Sequence, residues 1–218
     1  MEEEKQGTLI QKTFFWMFLG LLGTAIVAWY TYSSGLFISI IFNGYWEMLL
    51  IGEILVVLLF SFLFKKLPPM IVGILFFVYA MLNGVTLSTI FILFDLNSIV
   101  WLFVVSALLF GGMALYGYKT SKDLSGWKPL LFGILIVGLI LSVINLWLGN
   151  SMLDIGLDWV ILFVFFGITA YDMNKIKALQ DDETLDQSKL HIYGAMELYL
   201  DFINIFLRVL SLFGKRRN

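Results

Sequence analysis

Apolar runs of about twenty residues, the length that crosses roughly 30 Å of hydrocarbon as a helix, follow one another almost without interruption along this chain. They fall at 13–33, 45–64, 70–94, 98–118, 129–149, 155–176 and 192–213. With so little sequence between them, these segments have one physical solution. In lipid each backbone polar group must be satisfied inside its own segment, which favours helices packed side by side. With 60% hydrophobic and only 14% charged residues, a soluble globular domain is excluded. The predicted fold is therefore all-α: a polytopic membrane protein of seven transmembrane helices in a single integral domain over residues 1–218. Residues 1–12 form an N-terminal arm, 13–213 the bundle and 214–218 a basic tail.

The opening "MEEEKQGTLIQK" lacks the basic start of a secretory leader, so the first span is expected to be an uncleaved anchor. Pro68, Pro69 and Pro129 stand at the starts of spans three and five, where proline's missing N–H costs nothing. Basic residues collect in the arm (Lys5, Lys12) and after spans two (Lys65, Lys66), four (Lys119, Lys122, Lys128) and six (Lys175, Lys177, Lys189). By the positive-inside rule the N-terminus and these connections are cytoplasmic, as expected of a multi-pass protein of a cell membrane. The opposite connections contain only acids, Asp95, Asp154 and Asp158 with Glu47 nearby, which predicts an outer mouth that concentrates cations. There is no cysteine, hence no disulfide or thiolate metal site. No basic stripe suggests nucleic acid.

The last run, "ELYLDFINIFLRVLSLF" from Glu197 to Phe213, carries charge at membrane depth. At about 100° per residue, Glu197, Asp201, Asn204 and Arg208 lie within roughly 60° of one another, a single polar edge that must turn away from lipid. A full crossing would place "GKRRN" outside, against the charge rule, so the segment either re-enters or spans in spite of it. In both cases it belongs inside a ring of the other six. The plainer reading of the edge is an internal network with Arg208 and Glu197 reaching the two interfaces; Asp201 is too deep and too short for that. Near the end of span six, "GITAYDMNKIK" supplies Asp172. Two carboxylates close together in a poorly solvated site cannot both ionise easily, so Asp172 and Asp201 form a candidate pH sensor. Alternatively, Asp172 is a solvated helix-end acid paired with Lys175 or Lys177.

"AYDMNKIK" and, about thirty residues on, "ELYLDFINIFLRVL", together with "GYKTSKDLSGWKPLLFG" and "LNGVTLSTIF", resemble the Bax inhibitor-1 (transmembrane Bax inhibitor motif) family in its bacterial branch, from about residue 12 onward. The resemblance implies a seven-helix fold with the last helix central, a bacterial plasma membrane and a pH-dependent calcium leak. It implies that Asp172 and Asp201 are the pH-sensing dyad, and that a basic residue ending the second helix latches onto the first of them. Lys65 and Lys66 both occupy that place, and lysine is a weaker, non-bidentate partner than arginine.

Glu53, well inside span two, must be protonated, paired or facing water, and is read as a wall of the ion pathway with Glu197, Asn204 and Arg208. Gly84 and Ser88 are four apart, a close-packing spacing, with Asn83 and Thr86 as weaker lining candidates. His191, the single histidine, is expected in a solvated loop, and "DDETLD" is expected to be a solvated connection, since it lacks the pattern of a calcium loop. No high-affinity calcium cage is visible: calcium and protons are expected as partners in transit near Asp172 and Asp201, with no cofactor and no enzymatic activity. Two rivals stand beside a leak. A proton-coupled cation transporter, exchanging calcium for protons, would use the same acids but usually shows repeats and broken helices, not evident here. An intramembrane aspartyl protease would need G-x-G-D and P-A-L motifs, where this chain has "LYLD" and no P-A-L.

Overall fold

A computed structural model describes residues 2–179 and 186–217, with the side chains of 2–6 left aside. The run "DDETLD" at 181–186, expected as a solvated connection, lies outside the described residues except for Asp186. The helices are α1 (Glu2–Ser33), α2 (Leu36–Phe42), α3 (Tyr45–Leu63), α4 (Pro69–Leu87), α5 (Ile90–Leu93), α6 (Leu96–Lys119), a 3-10 turn (Ser125–Trp127), α7 (Lys128–Leu148), α8 (Ser151–Leu179) and α9 (Gln187–Phe213). The one β element among the described residues is an isolated antiparallel bridge between Phe94 and Arg216. The protein is all-α and polytopic, as predicted.

Among the described residues six segments are long and apolar enough to cross a membrane: Gly7–Ser33, Tyr45–Leu63, Pro69–Leu93, Leu96–Lys119, Ser125–Leu148 and Ser151–Leu179. They match the first six predicted spans to within a few residues at most ends, the first beginning six residues earlier. The seventh long helix, α9, has 27 residues and measures roughly 40 Å at 1.5 Å per residue, yet its charges keep it out of that set. Local chemistry sets the ends. Pro69 begins α4 behind an extended Pro68, and Pro129 lies in the first turn of α7. Gly149, at φ 61°, ends α7 in a left-handed conformation that only glycine adopts at low cost. Asn150 then caps α8, its Oδ1 accepting from the N–H groups of Met152 and Leu153. Two features depart from expectation. Residues 36–42, read as a plain connection, form a helix with no buried residue, and the third span is interrupted at Ser88 and Thr89, whose hydroxyls donate back to the carbonyls of Val85 and Thr86.

The chain groups into two compact units. The first holds α1 to α5, the first half of α9 and the tail from Arg216. In it, a Cβ on Gly84 would stand 2.7 Å from the Thr24 carbonyl oxygen, so α1 and α4 meet backbone to backbone, which is the close packing expected of that glycine. The second unit holds α6, α7, α8 and α9 from Leu200. There a Cβ on Gly117 would stand 2.2 Å from the Ala170 carbonyl oxygen, and Phe202 packs edge-on against Phe103 and Phe110. By contrast α3 buries only Phe60, and α7 only Gly138 and Asn145; their remaining apolar surface suits lipid.

Contacts within the first unit settle the course of α9. At its start Lys189 Nζ donates to the carbonyls of Lys65 and Leu67, and His191 packs against Trp16 near the beginning of the first span. Beyond its far end Arg217 donates to Tyr32 Oη at the end of α1 and to the Phe91 carbonyl, while its N–H donates to the Leu93 carbonyl. The start of α9 and the tail beyond it are thus held at Trp16 and at the far end of α1, so the chain does not turn back between them. The basic tail consequently lies at the end where only acids were expected, and the prediction of a mouth without positive charge does not hold.

Candidate functional site

Asp172 and Asp201 are both buried, at 6% and 2% exposure, in α8 and α9, and both belong to the second unit. The burial of Asp172 follows from its surroundings. Small residues at Gly117 and Ala170 let α6 approach α8 just ahead of it, and Leu124 from the following loop packs with Ala170 and Tyr171. Asn174, two residues beyond Asp172, fixes that loop: its Oδ1 accepts from the Leu124 N–H at 3.2 Å, and its Nδ2 donates to the carbonyls of Gly117 and Lys122. Lys177 Nζ donates to the Tyr118 carbonyl. Lys175, and not Lys177, is the cation beside Asp172, at 3.9 Å and a quarter exposed. At that distance and exposure the pair contributes little. The solvated helix-end reading of Asp172 is thus wrong in its burial and right in its lysine.

Arg208 meets Asp158 of α8, Nη1 to Oδ1 at 2.6 Å, and the Ser211 hydroxyl donates to the other carboxylate oxygen. Asp158 is 7% exposed, so this acid, read from the sequence as part of the outer mouth, is a buried ion-pair partner. Asn204 donates to the Leu200 carbonyl of its own helix.

The first unit contains a second polar cluster. Glu53 is partly buried and accepts from the Thr86 hydroxyl and from Asn83 Nδ2. Asn83 Oδ1 accepts from Tyr199 Oη at 3.1 Å, and that hydroxyl lies 2.7 Å from Thr24 Oγ1. The Thr24 oxygen is also 2.9 Å from the carbonyl of Ala80. A connected set of polar side chains from α1, α3, α4 and α9 therefore sits among apolar residues, where each partner removes a desolvation cost. Glu197 accepts from the Tyr193 hydroxyl one turn earlier.

Lys65 and Lys66 are exposed. The buried cation at that end of the first unit is Lys189, 4% exposed and 5.2 Å above the Phe64 ring. His191 lies inside α9 and not in a loop, partly buried with its ring 5.7 Å from that of Trp16. Burial, and secondarily the charge of Lys12, hold its pKa below the ordinary histidine value. Sequence reasoning gave Asp158 and Lys189 other roles and missed Asn174, Tyr199 and Thr24. An aspartate about two turns into α8 was the available signal for the first. The others have ordinary residue types at ordinary positions, and only packing singles them out. Among the described residues no group of three or more His, Cys, Asp or Glu is placed to hold a metal ion.

A family profile described as inhibitor of apoptosis-promoting Bax1 matches residues 6–218. The inner membrane protein YbhL of Escherichia coli K12 is 41% identical over 216 residues, covering 96% of this chain and 92% of its own length. A Borreliella burgdorferi protein is 36% identical over 230 residues, covering 100% of this chain and 98% of its own. One from Rickettsia prowazekii is 35% identical over 211, covering 95% and 89%.

Proposed function

This chain belongs to the Bax inhibitor-1 family of membrane proteins, and on that premise we propose that it is a pH-sensitive calcium leak channel of a bacterial plasma membrane, gated by Asp172 and Asp201. The observation that carries this reading is the burial of both carboxylates in one compact unit. A buried carboxylate resists ionisation, and two that interact release their protons in separate steps. The gate is then a proton count: acid fills the pair and opens the path. The family role of Lys65 or Lys66 as the latch extends the proposal, so replacing both by glutamine raises the leak at neutral pH. Glu53, Glu197, Asn204 and Arg208 are proposed to edge the route, and calcium, which prefers oxygen ligands, passes without a resident site. The activity is conduction and not catalysis.

Calcium entry into proteoliposomes, with internal and external pH clamped to the same value, tests the leak. Entry down the calcium gradient under that clamp is expected. Entry that appears only with an opposing proton gradient would replace the leak by an exchanger.

A further inference from the structure

We propose that the groove beside Trp16, between α1, α4 and the start of α9, binds one anionic phospholipid, with an acyl chain along α4 and the phosphate at Lys12 and His191. The groove has a volume of about 770 Å³, within the roughly 300–1,000 Å³ usual for small-molecule sites. Its walls include Trp16, Ile74, Phe77, Val78 and Met81, and the polar side chains reaching it are Ser188 and His191. Gly73 makes the room: a Cβ there would stand 3.2 Å from the Trp16 ring. The lining runs along α4 from Pro69 to Val85, roughly 24 Å at 1.5 Å per residue. That exceeds the roughly 15 Å of hydrocarbon in one leaflet, so a full acyl chain fits lengthwise.

The charge at one end selects the headgroup. Lys12, exposed one turn before Trp16 on α1, supplies the positive charge, and His191, packed against Trp16 and disfavoured in its charged form by burial and by Lys12, offers a ring N–H. Of the described charges nearby, Asp186 keeps its own, its ionised form favoured by the N–H and hydroxyl of Ser188 and by Lys189, while Lys189 is turned onto the carbonyls of Lys65 and Leu67. A lysine beside a ring N–H at the end of an apolar slot matches a negatively charged headgroup on an acyl chain. Among the described residues its lining carries no acid.

The test uses the full chain in mild detergent with an equimolar mixture of phosphatidylglycerol and phosphatidylcholine of matched acyl chains, read by native mass spectrometry. One bound lipid is expected, phosphatidylglycerol favoured about fivefold. Lys12→Gln combined with His191→Gln brings that preference near unity with unchanged helical circular dichroism. Val78→Trp, which fills the slot, removes both lipids. Equal retention of the two lipids by the wild type, an unaltered preference in the double variant, or a lipid-free dimer closed over the groove would each overturn the proposal. The readout is lipid retention and does not depend on ion flux, so it stands or falls apart from the leak.

Discussion

Arg208 of α9 donates to Asp158 of α8 at 2.6 Å, and Ser211 holds the second carboxylate oxygen. This joins the two helices that carry Asp201 and Asp172. Because Asp158 is buried, removing one partner leaves the other charge poorly solvated. Asp158→Asn is therefore expected to lower stability by about 1–3 kcal/mol, a range typical of charged hydrogen bonds. Thermal unfolding in detergent checks it, and a double-mutant cycle with Arg208→Gln should give substantially less than the sum of the single losses.

The approach of α6 to α8 makes a second prediction. A methyl group at Gly117 would strike the Ala170 carbonyl, whereas nothing lies within 4 Å of a Cβ on Gly111 or Gly112 in the same helix. Gly117→Ala is expected to destabilise by about 1–3 kcal/mol, the cost of overpacking. Gly111→Ala should be neutral or stabilising, since alanine is the better helix former by about 1 kcal/mol. Equal melting temperatures for the two variants would refute the close contact.

Asn174 anchors the end of α6, which closes on Lys119, and the loop carrying Lys122 through three hydrogen bonds. Asn174→Ala should release that loop, leaving the Leu124 N–H without its side-chain acceptor at a local cost of about 1–3 kcal/mol. Faster trypsin cleavage at Lys119 and Lys122, with unchanged cleavage after Lys65 and Lys66, is the expected signature.

His191 gives a pH prediction. Its partial burial and the nearby Lys12 charge hold its folded pKa below the unfolded value, so its contribution to stability is complete above the unfolded pKa. As pH falls through the window between the two values the unfolded chain takes up the proton first, and stability declines toward the folded pKa. NMR of this single histidine should show a midpoint below that of a model peptide, and Lys12→Gln should raise it.

The spans were legible because hydropathy acts over about twenty residues and tolerates error in any one of them. The acids of "YD" and "LD" were legible as motifs, and Gly84 as a packing position. Partner choice was not. Whether Arg208 reaches an interface or pairs with Asp158 depends on the rotation of two helices about their axes, which no spacing within either helix fixes. The same holds for Asn174, whose three partners lie at least fifty residues away, and for the Tyr199 cluster drawn from four helices. The charge rule failed for the tail for a related reason: Arg217 is held by hydrogen bonds to Tyr32, Phe91 and Leu93, a local compensation that a count of lysines and arginines does not see.

The pH profile of calcium entry into proteoliposomes, taken for the wild type, Asp172→Asn and Asp201→Asn, bears most directly on the gate. The account expects entry that rises with acid in the wild type and a flattened or displaced profile in each variant. Profiles superimposable on the wild type in both would contradict it.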